Sequence, residues 1–154
     1  MMSIETRLQE LGITLPQAAA PVASYVPVVI DKGLAFVSGQ VSILDGERIN
    51  GRLGEDMSLE EGIRAARGCG LMILAQLKAA LGSLDRVERV VKLGGFVNST
   101  PDFTDQPKVV NGASDLMLEV FGEAGKHARA AVGVPALPLG VAVEVDAVVA
   151  IKGD

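Results

Sequence analysis

The chain of 154 residues holds one cysteine, one histidine, one tyrosine and no tryptophan. A single cysteine excludes a disulfide framework within one chain. One cysteine and one histidine cannot furnish the four ligands of a structural zinc site. Aromatics at 3% leave few rings on which single-stranded RNA could stack. Basic residues are also in the minority, 14 Lys and Arg against 19 Asp and Glu, for a net charge of −5. No basic stripe is visible, so no nucleic-acid partner is expected. The longest uncharged stretch, residues 11–30, is broken by Pro16, Pro21 and Pro27, and the next, Ala130–Val143, has 14 residues and contains Pro135 and Pro138. A membrane-crossing helix needs about 20 apolar residues, so a soluble chain with no membrane partner is expected. The opening Met1-Met2-Ser3-Ile4-Glu5 has no charged segment followed by an apolar one, as a secretory signal would. With a free Cys69, the cytoplasm is the expected compartment.

Apolar residues make up 49% of the chain and charged residues 21%, enough for a packed core. The length predicts one domain over residues 1–154, with 1–21 forming an N-terminal helix and linker. Residues 3–12 read as a short helix with Ile4, Leu8 and Leu11 on one face. The segment 13–22, with Pro16 and Pro21, reads as extended linker. Val26–Ile30 and Leu34–Val37 predict a hairpin around Asp31-Lys32-Gly33. Residues 44–56 hold three glycines and mixed charge, and read as an exposed loop. Ser58-Leu59-Glu60-Glu61 is a capping box, and a helix is expected from there to Leu81. Its apolar positions are Leu59, Ile63, Ala66, Gly70, Ile73, Leu74, Leu77 and Leu81. Val87–Phe96 predicts a strand, with Gly94-Gly95 marking a bulge or a close backbone approach. A second helix is expected over 108–121, with Pro107 at its first position. Ala128–Val132 and Val141–Ile151 complete the strands. The order β-β-α-β-α-β-β after a leading helix predicts an α+β sandwich: a mixed β-sheet with two helices on one face. Val28, Val29, Ile30, Val145, Ala147, Val148 and Val149 are apolar on both strand faces. The uncovered face is therefore expected to be buried by another subunit.

Arg129 begins an otherwise nearly uncharged stretch. Burying an arginine there requires an anion. That anion is either a structural carboxylate of this chain or the carboxylate of a ligand, which a guanidinium can grip at two points. Glu144 sits in Val143-Glu144-Val145-Asp146-Ala147. Glu144 and Asp146 share one face of the strand, either as a solvent-facing pair or with one carboxylate holding a water or carrying a proton. His127 reads more readily as a structural or surface histidine than as a catalytic one. Cys69, between Gly68 and Gly70 in mid-helix, reads as a packing residue rather than a nucleophile. No nucleophile elbow, phosphate-binding glycine loop or dinucleotide fingerprint is present.

Four stretches resemble the Rid family, the YjgF-like (L-PSP-like) enamine/imine deaminases. The first is Ser24-Tyr25 with Leu34-Ala35-Phe36-Val37-Ser38-Gly39-Gln40, where Tyr25 and Ser38 stand 13 residues apart. The second is the long helix leading into Val87–Val97. The third is Asn111. The fourth and most specific runs from Ala128-Arg129 through Leu137-Pro138 to Val141–Ala147, with 15 residues from Arg129 to Glu144. The resemblance spans about residues 22–152. It implies a chorismate-mutase-like fold and a homotrimer with sites in clefts between subunits. It also implies hydrolysis of reactive 2-imino or enamino acids to 2-keto acids and ammonia, with no cofactor and no metal. In that scheme Arg129 binds the substrate carboxylate and Glu144 positions the attacking water. Tyr25, Ser38 and Asn111 line the pocket, and Gly39 and Ala131 contribute backbone groups. The chain departs from the pattern at Ala131, where many members have cysteine. The longer 98–108 segment, the leading helix and the 44–56 loop suggest a longer branch of the family. A different class of function, a non-catalytic trimer binding small carboxylates, would need only Arg129. The ribonuclease label also attached to the family fits poorly with the acidic charge.

Overall fold

Ser3 and Ser58 start the first two helices by the same chemistry. In a computed structural model that describes residues 2–20 and 24–153, each hydroxyl accepts a backbone N–H three residues on. Ser3 caps α1 (Ile4–Glu10). Ser58 caps α2 (Leu59–Leu81), where the Glu61 carboxylate returns a bond to the Ser58 N–H at 3.0 Å and completes the capping box. The strands are β1 (Val28–Asp31), β2 (Leu34–Val41), β3 (Ile43–Leu44), β4 (Glu47–Arg48), β5 (Val87–Asn98), β6 (Ala128–Val134) and β7 (Val143–Ile151). α3 (Gln106–Phe121) crosses between β5 and β6. Pro21, placed in the linker by the sequence, lies outside the described residues.

Five strands form one sheet in the order β1-β2-β7-β5-β6. β5 and β6 run parallel, joined by the α3 crossover, and the other pairs are antiparallel. The fold is thus the expected mixed α+β sandwich, with α2 and α3 packed against each other on one face. β7 alternates along its whole length between buried odd-numbered and half-buried even-numbered residues. Val143, Val145, Ala147 and Val149 enter the helix-covered core, while Glu144, Asp146 and Val148 face the other side. On that second face Val29, Phe36 and Val132 are 50%, 44% and 46% exposed. Val29 and Phe36, with Tyr25, Phe96 and Ala130, rim a shallow apolar hollow of about 610 Å³.

Several boundaries differ from the predicted ones. The 44–56 loop contains the small β3–β4 hairpin, which turns through Asp45 and Gly46, both at positive φ. α3 begins at Gln106, so Pro107 occupies its second position rather than its first. β7 begins at Val143; Val141 instead bridges to Asn50. Gly94-Gly95 marks close approaches and no bulge, since both residues pair in register with β6 and β7. A Cβ on Gly95 would meet Val110 of α3, and one on Gly94 would meet the Asp146 carboxylate.

The two helices touch through backbone. A Cβ on Gly112 would strike the Ile63 carbonyl of α2 and sit 3.0 Å from the Arg67 nitrogen. Neither atom can swing away as a side chain could. Gly112→Ala gains about 1 kcal/mol of helix propensity, but overpacking typically costs about 1–3 kcal/mol. We expect the clash to win, with a lower urea midpoint at unchanged m-value.

Candidate functional site

The seven residues singled out by the sequence fall into two groups on opposite faces of the sheet. The first group lies around β2. The β2–β7 register shifts between Val37 and Gln40, so Ser38 and Gly39 form a bulge. The bulge lets Gln40 enter the core while Val41 pairs with Glu144 on the open face. The Ser38 N–H donates to the Pro27 carbonyl at 2.9 Å, which ties the bulge to the segment just after Tyr25. Tyr25, Ser38, Gly39 and Glu144 line one hollow of about 500 Å³, together with Gln76 and Leu139.

Glu144 lies directly over Gly39, and a Cβ there would collide with its carboxylate. Gly39→Ala should therefore displace a flexible carboxylate without disturbing backbone. We expect any turnover that depends on Glu144 to fall while the thermal midpoint stays near wild type; a parallel loss of both would overturn this. Burial raises the Glu144 carboxyl above its ordinary range, and the neighbouring Asp146 charge adds to the effect. Asp146 is raised by burial too, offset by the Gly94 N–H and by Lys92. A half-buried carboxyl raised in this way is a stronger base than an exposed carboxylate.

The sequence reading missed the buried amides behind this hollow. Gln76 Nε2 donates to the Ala19 carbonyl at 2.7 Å and to Gln40 Oε1 at 3.3 Å. Gln40 Nε2 donates in turn to the Ser38 carbonyl at 3.0 Å and to Ser38 Oγ at 3.3 Å. The one signal was a polar residue within the apolar run Leu74-Ala75-Gln76-Leu77. Leu139 was missed as well. It is 67% exposed at positive φ, and Asn50 Nδ2 holds its carbonyl at 3.1 Å.

The second group is Arg129, Asn111 and Ala131. Arg129 pairs with Leu93, and Ala131 with Gly95, so both side chains face the helix layer. Arg129 Nη1 donates to Asn111 Oδ1 at 2.7 Å and to Ser114 Oγ at 3.2 Å. Its Nη2 donates to the Pro107 carbonyl at 3.3 Å. The structural ion pair considered for Arg129 is not found among the described residues: every partner is neutral. Three of its five N–H donors are engaged, leaving Nε and one Nη2 hydrogen for a ligand. His127 is a structural neighbour of this group, with Nε2 2.8 Å from Ser114 Oγ. Cys69 is fully buried, donates to the Val143 carbonyl at 3.3 Å, and has its thiol pushed well up by burial, so it is no nucleophile.

A family model described as "YjgF/chorismate mutase-like, putative endoribonuclease" matches residues 5–149. The chain belongs to this YjgF-like family. The YjgF-like chain is 55% identical over 148 residues to Protein TCP17 of Trypanosoma cruzi, covering 95% of this chain and 92% of that one. Among solved structures it is similar to Atu1372 of Agrobacterium tumefaciens, with 50% identity, 97% and 92% of the two chains covered and a TM-score of 0.89. It also resembles RidA from an Antarctic Psychrobacter species, at 28% identity, 90% and 98% coverage and a TM-score of 0.60. Among the described residues of this YjgF-like chain, no helix is long and apolar enough to cross a membrane.

Proposed function

We propose that the chain hydrolyses 2-imino acids of the 2-iminopropanoate and 2-iminobutanoate type at clefts between the subunits of a homotrimer. The observation that carries this reading is the division of the site. Arg129 offers an unneutralised guanidinium on the helix side of edge strand β6, and Glu144 offers a carboxyl on the open face of β7. One subunit cannot aim both at one small molecule, whereas two adjacent subunits can. The exposed apolar residues Val29, Phe36 and Val132 supply a reason for subunits to associate through that face.

In this reading Arg129 of one subunit grips the substrate carboxylate with Nε and Nη2. Glu144 of the next holds a water and accepts its proton as the oxygen bonds to the imine carbon. The C=N pair moves to nitrogen, which takes that proton back from Glu144. The carbinol hydroxyl then gives its proton, through the same carboxylate, to the nitrogen as the C–N bond breaks and the C=O forms, giving the 2-keto acid and ammonia. The likeness to RidA supports the assignment.

The test is ammonia release from imines generated in situ by an amino-acid oxidase, with the subunit count read by sedimentation. Acceleration by a trimer supports the reading. No acceleration, with 2-keto acids still bound, supports a carboxylate-binding trimer instead.

A further inference from the structure

We propose that Ser114 and His127 are positioning residues for Arg129, acting through a histidine fixed in one tautomer. The inference rests on the reading of Arg129 as a carboxylate clamp. His127 Nδ1 lies 2.6 Å from the Gly125 carbonyl oxygen, which can only accept, so Nδ1 carries the proton. In the neutral ring Nε2 is then an acceptor. Ser114 Oγ, 2.8 Å away, donates its hydrogen to it. The hydroxyl lone pairs are thereby turned toward Arg129 Nη1 at 3.2 Å. The bonds run in one direction, from guanidinium to hydroxyl to imidazole to backbone carbonyl.

The far end of this chain is held rigidly. Gly125 closes the turn 122–125 and is buried so tightly that a Cβ would strike the Met117 carbonyl. At the near end, Asn111 and Ser114 stand three residues apart on one face of α3, so both can accept from the same nitrogen. With Nη1 engaged twice, Nε and Nη2 form the edge that remains for a ligand. Because every anchor is neutral, the full positive charge stays available to a carboxylate. A glutamate at either anchor would hold the side chain equally well and cancel that charge.

His127 is the only histidine, so its ring ¹⁵N signals in the labelled full chain are unambiguous. We expect a proton on Nδ1, a bare Nε2 in the neutral ring, and an Nε2 signal that moves in Ser114→Ala. A proton on Nε2, or an indifferent Nε2 signal, overturns the proposal whether or not the chain is a deaminase. In the kinetic arm, Ser114→Ala and His127→Phe should each raise KM for 2-iminobutanoate about tenfold, with kcat nearly unchanged. The double variant should do no worse than either single one, because the residues act in series. Ser114→Thr, which keeps the hydroxyl, should restore KM. An unchanged KM in Ser114→Ala, or a loss confined to kcat, would overturn the positioning role. If the wild type releases no ammonia, the deaminase reading alone fails, and the ring tautomer still decides this one.

Discussion

Arg129→Ala should lower kcat/KM for 2-imino acids by about two to three orders of magnitude and leave the assembly and the urea midpoint near wild type. Removing one partner of a hydrogen-bonded charge pair costs about 2–5 kcal/mol. That loss falls on the substrate because nothing in the described chain needs the charge. Asn111 is exposed and can turn to water, and Ser114 keeps His127 as partner. Arg129→Lys should fail nearly as badly. An ammonium could reach Asn111 or the ligand, but it has no planar edge with which to serve both. Steady-state kinetics and sedimentation of the two variants check this. Full activity in either would remove the clamp from Arg129, and collapse of the oligomer would make the arginine structural.

Glu144→Gln should separate catalysis from both binding and stability. Turnover should drop by about two to four orders of magnitude, the usual worth of a positioned general base. Binding of 2-oxobutanoate, which depends on Arg129, should survive. Stability should move the other way. Burial raises the Glu144 carboxyl, so the folded chain holds that proton more firmly than the unfolded chain. Stability therefore falls as pH rises from the ordinary carboxylate value through the raised one, and stays lower above it. Glutamine carries no charge and escapes this penalty. The urea midpoint of Glu144→Gln should thus exceed that of wild type at pH 7, and the difference should vanish once the pH drops below the ordinary carboxylate range. An unchanged turnover would remove Glu144 from the chemistry, and a lower midpoint at pH 7 would show that its charge stabilises the fold.

Local chemistry written in consecutive residues determined much of this protein. The capping box Ser58–Glu61 and the apolar spacing through Leu81 set α2 by contacts within a few residues. The alternation from Val143 onward set β7, and with it the shared face of Glu144 and Asp146. The lack of nearby charge around Arg129 already required a partner for it.

Tertiary structure alone decided who that partner is. Asn111, Ser114 and the Pro107 carbonyl reach Arg129 only because α3 crosses back over β6. Which face of the sheet Arg129 and Glu144 occupy depends on register between strands far apart in the chain. The bulge at Ser38-Gly39 shifts one such register by an amount that no local pattern encodes. Gly112 looks like an ordinary weak point in a helix until α2 is laid against it, and His127 looks like a spare histidine until Gly125 fixes its tautomer. Helix caps and strand alternation act over three or four residues, where sequence distance and spatial distance agree. Hydrogen-bond partners and sheet faces are set by segments that meet only after folding.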